Sequence, residues 1–200
     1  MMRIITGKAR GVRLATLEGE TTRPTAERTK EAIFSMLQFE LQEARVLDLF
    51  AGSGQLALEA LSRGAAQAVL CDASKNAIRI IRTNAEKTRL LPQCEIICTD
   101  YRTLLMQRLR GCAPFDLVFL DPPYAQKLVP SALDLLYSGG YLHKDSKIIC
   151  ETADARDALG GAKQEHLFEV LRVSHYGAAC VTILKPKGAV YESCDCSGQL

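Results

Sequence analysis

The sequence lacks the features that mark membrane, secreted or repetitive proteins. In its 200 residues no apolar run approaches the length of about eighteen residues that a membrane-spanning helix needs. The opening stretch MMRIITGKAR does not contain the apolar core of a signal peptide. Internal repeats and low-complexity segments are also lacking. We therefore expect a globular protein of the cytoplasm, built as one domain or as one domain with a small appendage.

A strong net charge is lacking too. The chain has 25 Lys and Arg residues against 23 Asp and Glu residues, so its formal net charge is +2 and it is not a general polycation. The charge is uneven, however, because residues 1–30 contain seven basic residues and three acidic ones. A basic arm beside a nearly neutral body suits a phosphate-rich partner. A solvated terminus that binds nothing is the alternative.

Disulfide bonds are not expected, although the sequence contains eight cysteines. Five of them fall in apolar runs, where a reduced thiol packs as a small hydrophobic group: Cys71, Cys94, Cys98, Cys150 and Cys180. We predict that these five are core residues. The polar stretch CDC, Cys194 to Cys196, offers two further thiols, which cannot complete a four-ligand zinc site alone.

Strand and helix patterns alternate along most of the chain. Continuous apolar runs such as RVLDLF, QAVLCD and FDLVFL are separated by amphipathic segments such as QLALEALSRG. This alternation predicts an α/β fold with a doubly wound, mainly parallel sheet that is covered on both faces. Before it, the pattern predicts short strands over MRIIT and VRLAT and a helix from about residue 26 to 39. Two β segments, HLFEVLRVSHY and AACVTILKP, come late in the chain.

A glycine-rich turn follows the strand RVLDLF. The stretch VLDLFAGSGQLALEA leads from this strand through the turn Gly52–Gly54 directly into a helix. Glycines allow the backbone to approach a ligand closely, and a helix N-terminus then faces that ligand. A dinucleotide site would carry G-x-G-x-x-G, but Ala57 stands at the third glycine. Because Asp48 before the turn favours a cationic ligand, the motif indicates S-adenosylmethionine over NAD.

Three successive strands of the predicted sheet end in acidic residues. Asp72 ends QAVLCD, Asp100 follows CEIICT and Asp121 follows FDLVFL. The carboxyl ends of parallel strands share one edge of a sheet, and α/β proteins bind ligands there. Asp72 suits a ribose diol, because an ionised carboxylate can accept hydrogen bonds from both hydroxyls. For Asp100 the alternative is that it caps the following helix.

The stretch DPPY, Asp121 to Tyr124, ends a strand in an unusual way. Pro122 and Pro123 stop the strand ladder because neither has an N–H to donate. They hold a carboxylate and an aromatic ring on a stiff corner at the ligand-binding edge. An ordinary strand-ending turn is the alternative for this motif alone.

These motifs together resemble the bacterial 16S ribosomal RNA (guanine-N2)-methyltransferases of the RsmD type, within the class I methyltransferases. The resemblance extends from near residue 2 to about residue 186, and it rests on MRIITGKARG, RPTAERTKEAIFSML, VLDLFAGSGQLALEALSRGA, FDLVFLDPPY and YGAACVTILKP. It implies a Rossmann-like sheet of seven strands whose last strand is antiparallel. It also implies S-adenosylmethionine as cofactor without a metal, and 16S ribosomal RNA as partner, naked or in an assembling small subunit.

The resemblance further divides the chain and assigns roles to its residues. It implies an RNA-contacting extension over residues 1–40 and a methyltransferase domain over 41–186, whereas the tail over 187–200 lies outside the resemblance and is expected to be unpacked. Cofactor binding is implied for Asp48, Phe50, Gly52, Gly54, Asp72 and Asp100, although Glu is more usual in the family where Asp72 stands. Catalysis is implied for Asp121, Pro122, Pro123 and Tyr124. The basic residues that we predict to contact RNA phosphates are Arg10, Arg13, Arg23 and Arg28.

The chemistry explains why such an enzyme needs DPPY. The exocyclic amine of guanine is a poor nucleophile, because its lone pair is delocalised into the ring. We expect Asp121 and the carbonyl of Pro122 to hold the amine and aim its nitrogen, while Tyr124 stacks on the base. The alternatives are an adenine-N6 methyltransferase, an NAD-dependent oxidoreductase and a non-catalytic RNA-binding module. The last two leave DPPY or the cofactor motifs without a role.

Overall fold

Seven strands form one sheet in the computed structural model, which describes residues 2–17, 24–123 and 127–188. The strands are β1 Arg45–Asp48, β2 Gln67–Asp72, β3 Cys94–Cys98, β4 Phe115–Leu120, β5 Leu142–Thr152, β6 Phe168–Tyr176 and β7 Ala179–Pro186. Their order across the sheet is β3-β2-β1-β4-β5-β7-β6. Neighbours from β3 to β5 are parallel, and β7 is antiparallel to both β5 and β6. The predicted fold, with its antiparallel last strand, is confirmed.

The described residues form seven α-helical segments around this sheet. They are α1 Pro24–Met36, α2 Gln55–Ser62, α3 Lys75–Lys87, α4 Tyr101–Thr103, α5 Val129–Ser138, α6 Ala155–Leu159 and α7 Ala162–Leu167. The predicted first helix is therefore shorter at its C-terminus, where turns replace it. The stretch YRTLLMQRLRG after β3 is not one regular α-helix, because α4 passes into a π-helical segment, Leu104–Arg108. Within that segment the carbonyl of Leu105 accepts a hydrogen bond from the buried Tyr141 hydroxyl.

The hydrophobic core lies on both faces of the sheet. Successive strand residues point to opposite faces, so Val46 and Leu117 belong to one core cluster, whereas Leu47 and Val118 belong to the other. The first cluster packs under α1, α2 and α3, and the second packs under α4 and α5. Both faces of the central strands are thus covered by helices, as the continuous apolar runs predicted.

The N-terminal segment, residues 2–17, docks on α2 instead of forming the two predicted strands. One isolated antiparallel bridge, Arg3 with Arg13, replaces them. The backbone amides of Ile5 and Thr6 donate to the carboxylate of Glu59 at 2.8 and 3.0 Å. Since these amides bind a side chain of α2, they are not available to a strand ladder. The prediction of strands over MRIIT and VRLAT was wrong for this reason.

The cysteines divide according to their position in the sheet. Cys71, Cys150 and Cys180 are buried, and burial raises the pKa of the Cys71 thiol to about 12. Cys94 is half-buried, whereas Cys98 is exposed, so the prediction of a core position was wrong for Cys98. Cys98 lies at the end of β3, which is an edge strand with a neighbour on one side only.

Two further expectations concern the ends of the chain and the membrane. Residues 189–200, with Cys194 and Cys196, lie outside the described residues. Across the described ranges, no helix combines the length and the apolar character needed to cross a membrane.

Candidate cofactor and catalytic site

A cavity of about 530 Å³ opens at the carboxyl edge of the sheet. Its size is in the range that accommodates small-molecule ligands and cofactors. Its lining includes seven of the residues that the sequence singled out, namely Phe50, Gly52, Asp72, Asp100, Asp121, Pro122 and Pro123. The cofactor motif and the catalytic motif, which are about seventy residues apart in sequence, therefore meet in one space.

The glycine turn requires its glycines. Gly52 and Gly54 have φ angles of 52° and 77°, in the left-handed region that other residues rarely adopt. A Cβ added at Gly54 would lie 3.3 Å from the Leu70 side chain. Gly54 is the N-cap residue of α2 and is buried, so it shapes the turn from below, whereas Gly52 lines the cavity.

Asp72 joins the end of β2 to this turn. Its Oδ2 accepts a hydrogen bond from the Gly52 amide at 2.9 Å, and its Oδ1 accepts one from the Ser74 amide at 2.8 Å. A carboxylate has about four acceptor positions, so these two bonds leave capacity for hydroxyl groups of a ligand. Because Asp72 also lines the cavity, it can brace the turn and bind a diol at the same time.

Asp48 takes a different position from the other acidic residues. It is 1 % exposed at the end of β1, and it is absent from the lining of the cavity. Burial raises the pKa of its carboxyl to about 7, while backbone N–H groups of Ala57 and Phe50 oppose that shift. Among the described residues, its Oδ1 has no hydrogen-bond partner. Asp48 therefore lies beneath the turn, where it is hydrogen-bonded to the backbone of the segment that follows β1.

Asp100 both caps a helix and lines the cavity. Its Oδ1 accepts a hydrogen bond from the Arg102 amide at 2.8 Å. The helix cap that we gave as the alternative for Asp100 is therefore present in the structure. The neighbouring Tyr101 is buried, and its ring packs on Phe50 with 5.3 Å between the ring centroids. These two rings give the cavity an aromatic wall that suits a flat heterocycle.

Sequence reasoning missed part of the cavity wall. The missed lining residues are Leu17, Leu49, Ala73, Thr99, Tyr101 and Leu128. Tyr101 follows Asp100 directly in CTDYRT, so an aromatic residue next to a strand-end acid was the available signal. Leu17 carried no such signal, because only the docking of the N-terminal segment brings it to the cavity.

The catalytic motif begins where β4 ends. β4 lies between β1 and β5 in the sheet, so Asp121 follows a central strand at the same edge as the glycine turn. Pro122 is buried and Pro123 is exposed. Tyr124 lies outside the described residues. Within the described parts of the chain, no cluster of three or more His, Cys, Asp or Glu residues has a metal-binding arrangement.

Three of the predicted RNA-contacting arginines are described, and none of these three lines the cavity. Arg10, Arg13 and Arg28 are exposed, and Arg23 lies outside the described residues. Lys30, by contrast, is 2 % exposed, and its Nζ donates to the carbonyl of Arg3 at 2.6 Å. Burial lowers the pKa of Lys30, although Glu59, 3.7 Å away, opposes this effect. Lys30 thus anchors the N-terminal segment, while the side chains of the three described arginines are exposed to solvent.

Comparison with known proteins gives consistent matches over nearly the whole chain. The family model described as "Conserved hypothetical protein 95" matches residues 2–185. The ribosomal RNA small subunit methyltransferase D of Haemophilus influenzae is 36% identical over 152 residues, which is 76% of this chain and 78% of that protein. The YlbH protein of Bacillus subtilis is 32% identical over 190 residues, covering 94% of this chain and all of that protein. The solved structure of yhhF from Escherichia coli superposes with a TM-score of 0.81 at 29% identity, covering 93% and 98% of the two chains.

Proposed function

Because the chain belongs to the conserved hypothetical protein 95 family, together with ribosomal RNA small subunit methyltransferase D, we propose that it methylates small-subunit ribosomal RNA. The methyl donor in this proposal is S-adenosylmethionine, and the acceptor is the exocyclic N2 amine of a guanine in 16S ribosomal RNA. The relatives' names support the ribosomal RNA substrate. The choice of the guanine amine rests on the DPPY motif and on the family resemblance.

One observation carries the proposal: the glycine turn, Asp72, Asp100 and the Asp121-Pro122 corner line the same cavity. The residues present fit the proposed cofactor. Asp72 has acceptor capacity for a ribose diol, and the Phe50 and Tyr101 rings offer a wall for adenine. The Asp100 carboxylate adds a further acceptor at the cavity rim. When bound, S-adenosylmethionine supplies a methyl group that is activated by its attachment to a sulfonium.

Asp121 and Pro122 would position the target amine. The Asp121 carboxylate and the Pro122 carbonyl accept hydrogen bonds from the two amine hydrogens, which directs the nitrogen lone pair toward the methyl carbon. The nitrogen would gain positive charge on methylation, and the Asp121 carboxylate and the Pro122 carbonyl would stabilise that charge. The amine becomes acidic only then, so a proton can pass to Asp121 or to water without a strong base.

The exposed arginines would supply sequence-independent affinity for RNA. Arg10, Arg13 and Arg28 carry charge on the N-terminal segment and α1, and the rest of the chain is nearly neutral. Contacts between such side chains and phosphates release condensed counterions, which makes binding dependent on salt. The positioning of the base then depends on the corner formed by Asp121 and the prolines.

Asp121→Ala tests the catalytic assignment. We expect the variant to keep its fold and bind S-adenosylhomocysteine normally, but to lose about 10²–10³-fold in the rate of methyl transfer, as is typical when one preorganised hydrogen-bonding group is removed. The assay is single-turnover transfer of labelled methyl to small-subunit RNA from a strain that lacks the protein. Asp145→Ala is the matched control, because it removes an exposed carboxylate near the start of β5, at the opposite end of the parallel strands from the cavity.

The outcomes separate three cases. Near-normal transfer by Asp121→Ala contradicts a catalytic role for this carboxylate. Mass analysis of the labelled nucleoside distinguishes N2-methylguanosine from N6-methyladenosine, and the second product would overturn the guanine assignment. Failure of the unaltered protein to bind S-adenosylhomocysteine in calorimetry would overturn the choice of cofactor.

A further inference from the structure

Asn84, in α3, is a buried polar residue for which the proposed cofactor site does not account. None of its surface is exposed, and it does not line the cavity. Its Oδ1 accepts a hydrogen bond from the Ala15 amide at 2.8 Å, and its Nδ2 donates to the carbonyls of Ala15 and Ser53, each at 2.9 Å. Both donors of the carboxamide are therefore used, and both connect α3 to other segments.

The two partners of Asn84 belong to different functional parts of the molecule. Ser53 is the middle residue of the glycine turn at the cavity. Ala15 belongs to the N-terminal segment, two residues before Leu17, which lines the cavity. A second contact joins the same two parts, because the Ser53 hydroxyl lies 3.2 Å from the Met2 sulfur. The carboxamide of Asn84 thus bridges the cofactor turn and the segment that carries the exposed Arg10 and Arg13.

The N-terminal segment is internally bonded between Ala15 and those arginines. The Leu14 amide donates to the Met2 carbonyl at 3.0 Å, and the Gly11 amide donates to the Ile4 carbonyl at 2.8 Å. The Lys8 amide donates to the carbonyl of Ser62 in α2 at 2.8 Å. Since α2 itself begins at the glycine turn, this bond and those of Ile5 and Thr6 to Glu59 attach the segment to the cofactor region as well. A change in how rigidly the turn is held can therefore reach the segment through these hydrogen bonds.

We propose that Asn84 is a positioning residue that couples cofactor binding at the glycine turn to the ordering of the RNA-contacting N-terminal segment. A ligand that contacts Gly52 also restrains the next residue, Ser53, whose carbonyl accepts one Asn84 N–H, and this lowers the entropic cost of holding Ala15 through the same carboxamide. Coupling of this kind is reciprocal, so RNA held by the segment would favour cofactor binding to the same extent. This inference rests on the proposed function, because it assumes an adenosyl ligand at the turn and RNA at the segment.

Hydrogen exchange with S-adenosylhomocysteine as the probe tests the coupling. In the unaltered protein we expect saturating probe to slow amide exchange in residues 2–17 by about fivefold or more, the lower end of typical coupling factors. Asn84→Asp keeps an acceptor for the Ala15 amide. It replaces the Nδ2 donor by a carboxylate oxygen, which would face the carbonyls of Ala15 and Ser53. We expect this variant to bind the probe and protect the glycine turn, while protection of residues 2–17 is lost.

Two control variants separate the coupling from simpler effects. Thr88→Val alters the buried C-cap residue that directly follows α3, whose hydroxyl donates to carbonyls of that helix, and it should leave the protection unchanged. Leu17→Ala removes the side chain through which the N-terminal segment lines the cavity, while Asn84 keeps its hydrogen bonds. If Asn84→Asp does not fold, as judged by thermal melting, Asn84→Ser provides the same comparison with a smaller neutral side chain.

Each outcome has a definite meaning. Loss of segment protection in the Asn84 variant, with protection kept in both controls, supports the coupling. Equal protection in the Asn84 variant and the unaltered protein overturns it. Protection that depends on Leu17 but not on Asn84 overturns it as well, because direct contact then explains the effect. Absence of probe binding to the unaltered protein in calorimetry overturns the proposed cofactor, and the coupling falls with it.

Discussion

Replacing Asp48 by Asn tests whether burial keeps this carboxyl neutral in the folded protein. The pKa of Asp48 is raised from its ordinary value of 3.8 to about 7, chiefly because the side chain is buried. Between these two pH values the folded protein holds a proton that the unfolded chain has released, so the free energy of unfolding falls as pH rises. At about 1.4 kcal/mol for each pH unit, the unaltered protein loses up to about 4 kcal/mol across this window. Asn cannot ionise, so the variant does not share this loss.

Urea unfolding, followed by circular dichroism, measures the effect. The other titrating groups are common to both proteins and cancel in the difference between their unfolding free energies. We expect the variant to gain roughly 3 kcal/mol relative to the unaltered protein between about pH 5 and about pH 8. Altered hydrogen bonding beneath the turn adds an offset that does not vary with pH. Asp145→Asn, at an exposed position, is the control variant. Parallel pH curves for the unaltered protein and Asp48→Asn would refute the reasoning.

Three further outcomes follow from the site and the N-terminal segment. Asp72→Ala should weaken S-adenosylhomocysteine binding in calorimetry by about 1.5–3 kcal/mol, the usual effect of losing a charged acceptor, and unchanged affinity would exclude the ribose contact. Arg10→Ala and Arg13→Ala should each reduce the slope of log affinity for RNA against log salt by about 0.7–0.9, and unchanged slopes for both would make these side chains structural. Glu59→Gln should lower the melting temperature, because it removes the carboxylate that pairs with the buried Lys30 ammonium. Breaking such a buried ion pair lowers the free energy of unfolding by about 3–5 kcal/mol. The double variant Glu59→Gln, Lys30→Met should recover part of this loss, and equal melting of the two variants would contradict the pairing.

The sheet and the shape of the site were predictable because they depend on local patterns. Continuous apolar runs identified the central strands, and the residues after each run identified the ligand-binding edge. Gly52, Asp72 and Asp121 therefore meet in the cavity as their positions at strand ends indicated. The roles of the individual residues stay predictions, as does the division of the chain into an extension, a domain and a tail.

The contacts of the N-terminal segment could not be predicted from local patterns. The alternation in MRIIT and VRLAT suggested a strand pair, but the amides of Ile5 and Thr6 are 54 and 53 residues away from the acceptor that binds them, Glu59. Glu59 itself looks in sequence like a surface position of an amphipathic helix. It is fully buried because the segment covers it. Leu17 reaches the cavity, and Asn84 meets Ala15, through the same docking.

The position of β7 has a consequence for the order in which the sheet can be completed during synthesis. β7 lies between β5 and β6, and only Gly177 and Ala178 separate it from β6, so these two strands can pair locally as a hairpin. Until that hairpin docks, β5 presents an open edge over residues 148–152, including the buried Ile148, Ile149 and Cys150. An unpaired apolar edge is a template for association with other chains. A nascent chain must therefore extend past residue 186 before this edge is protected, and until then the edge can associate with other chains.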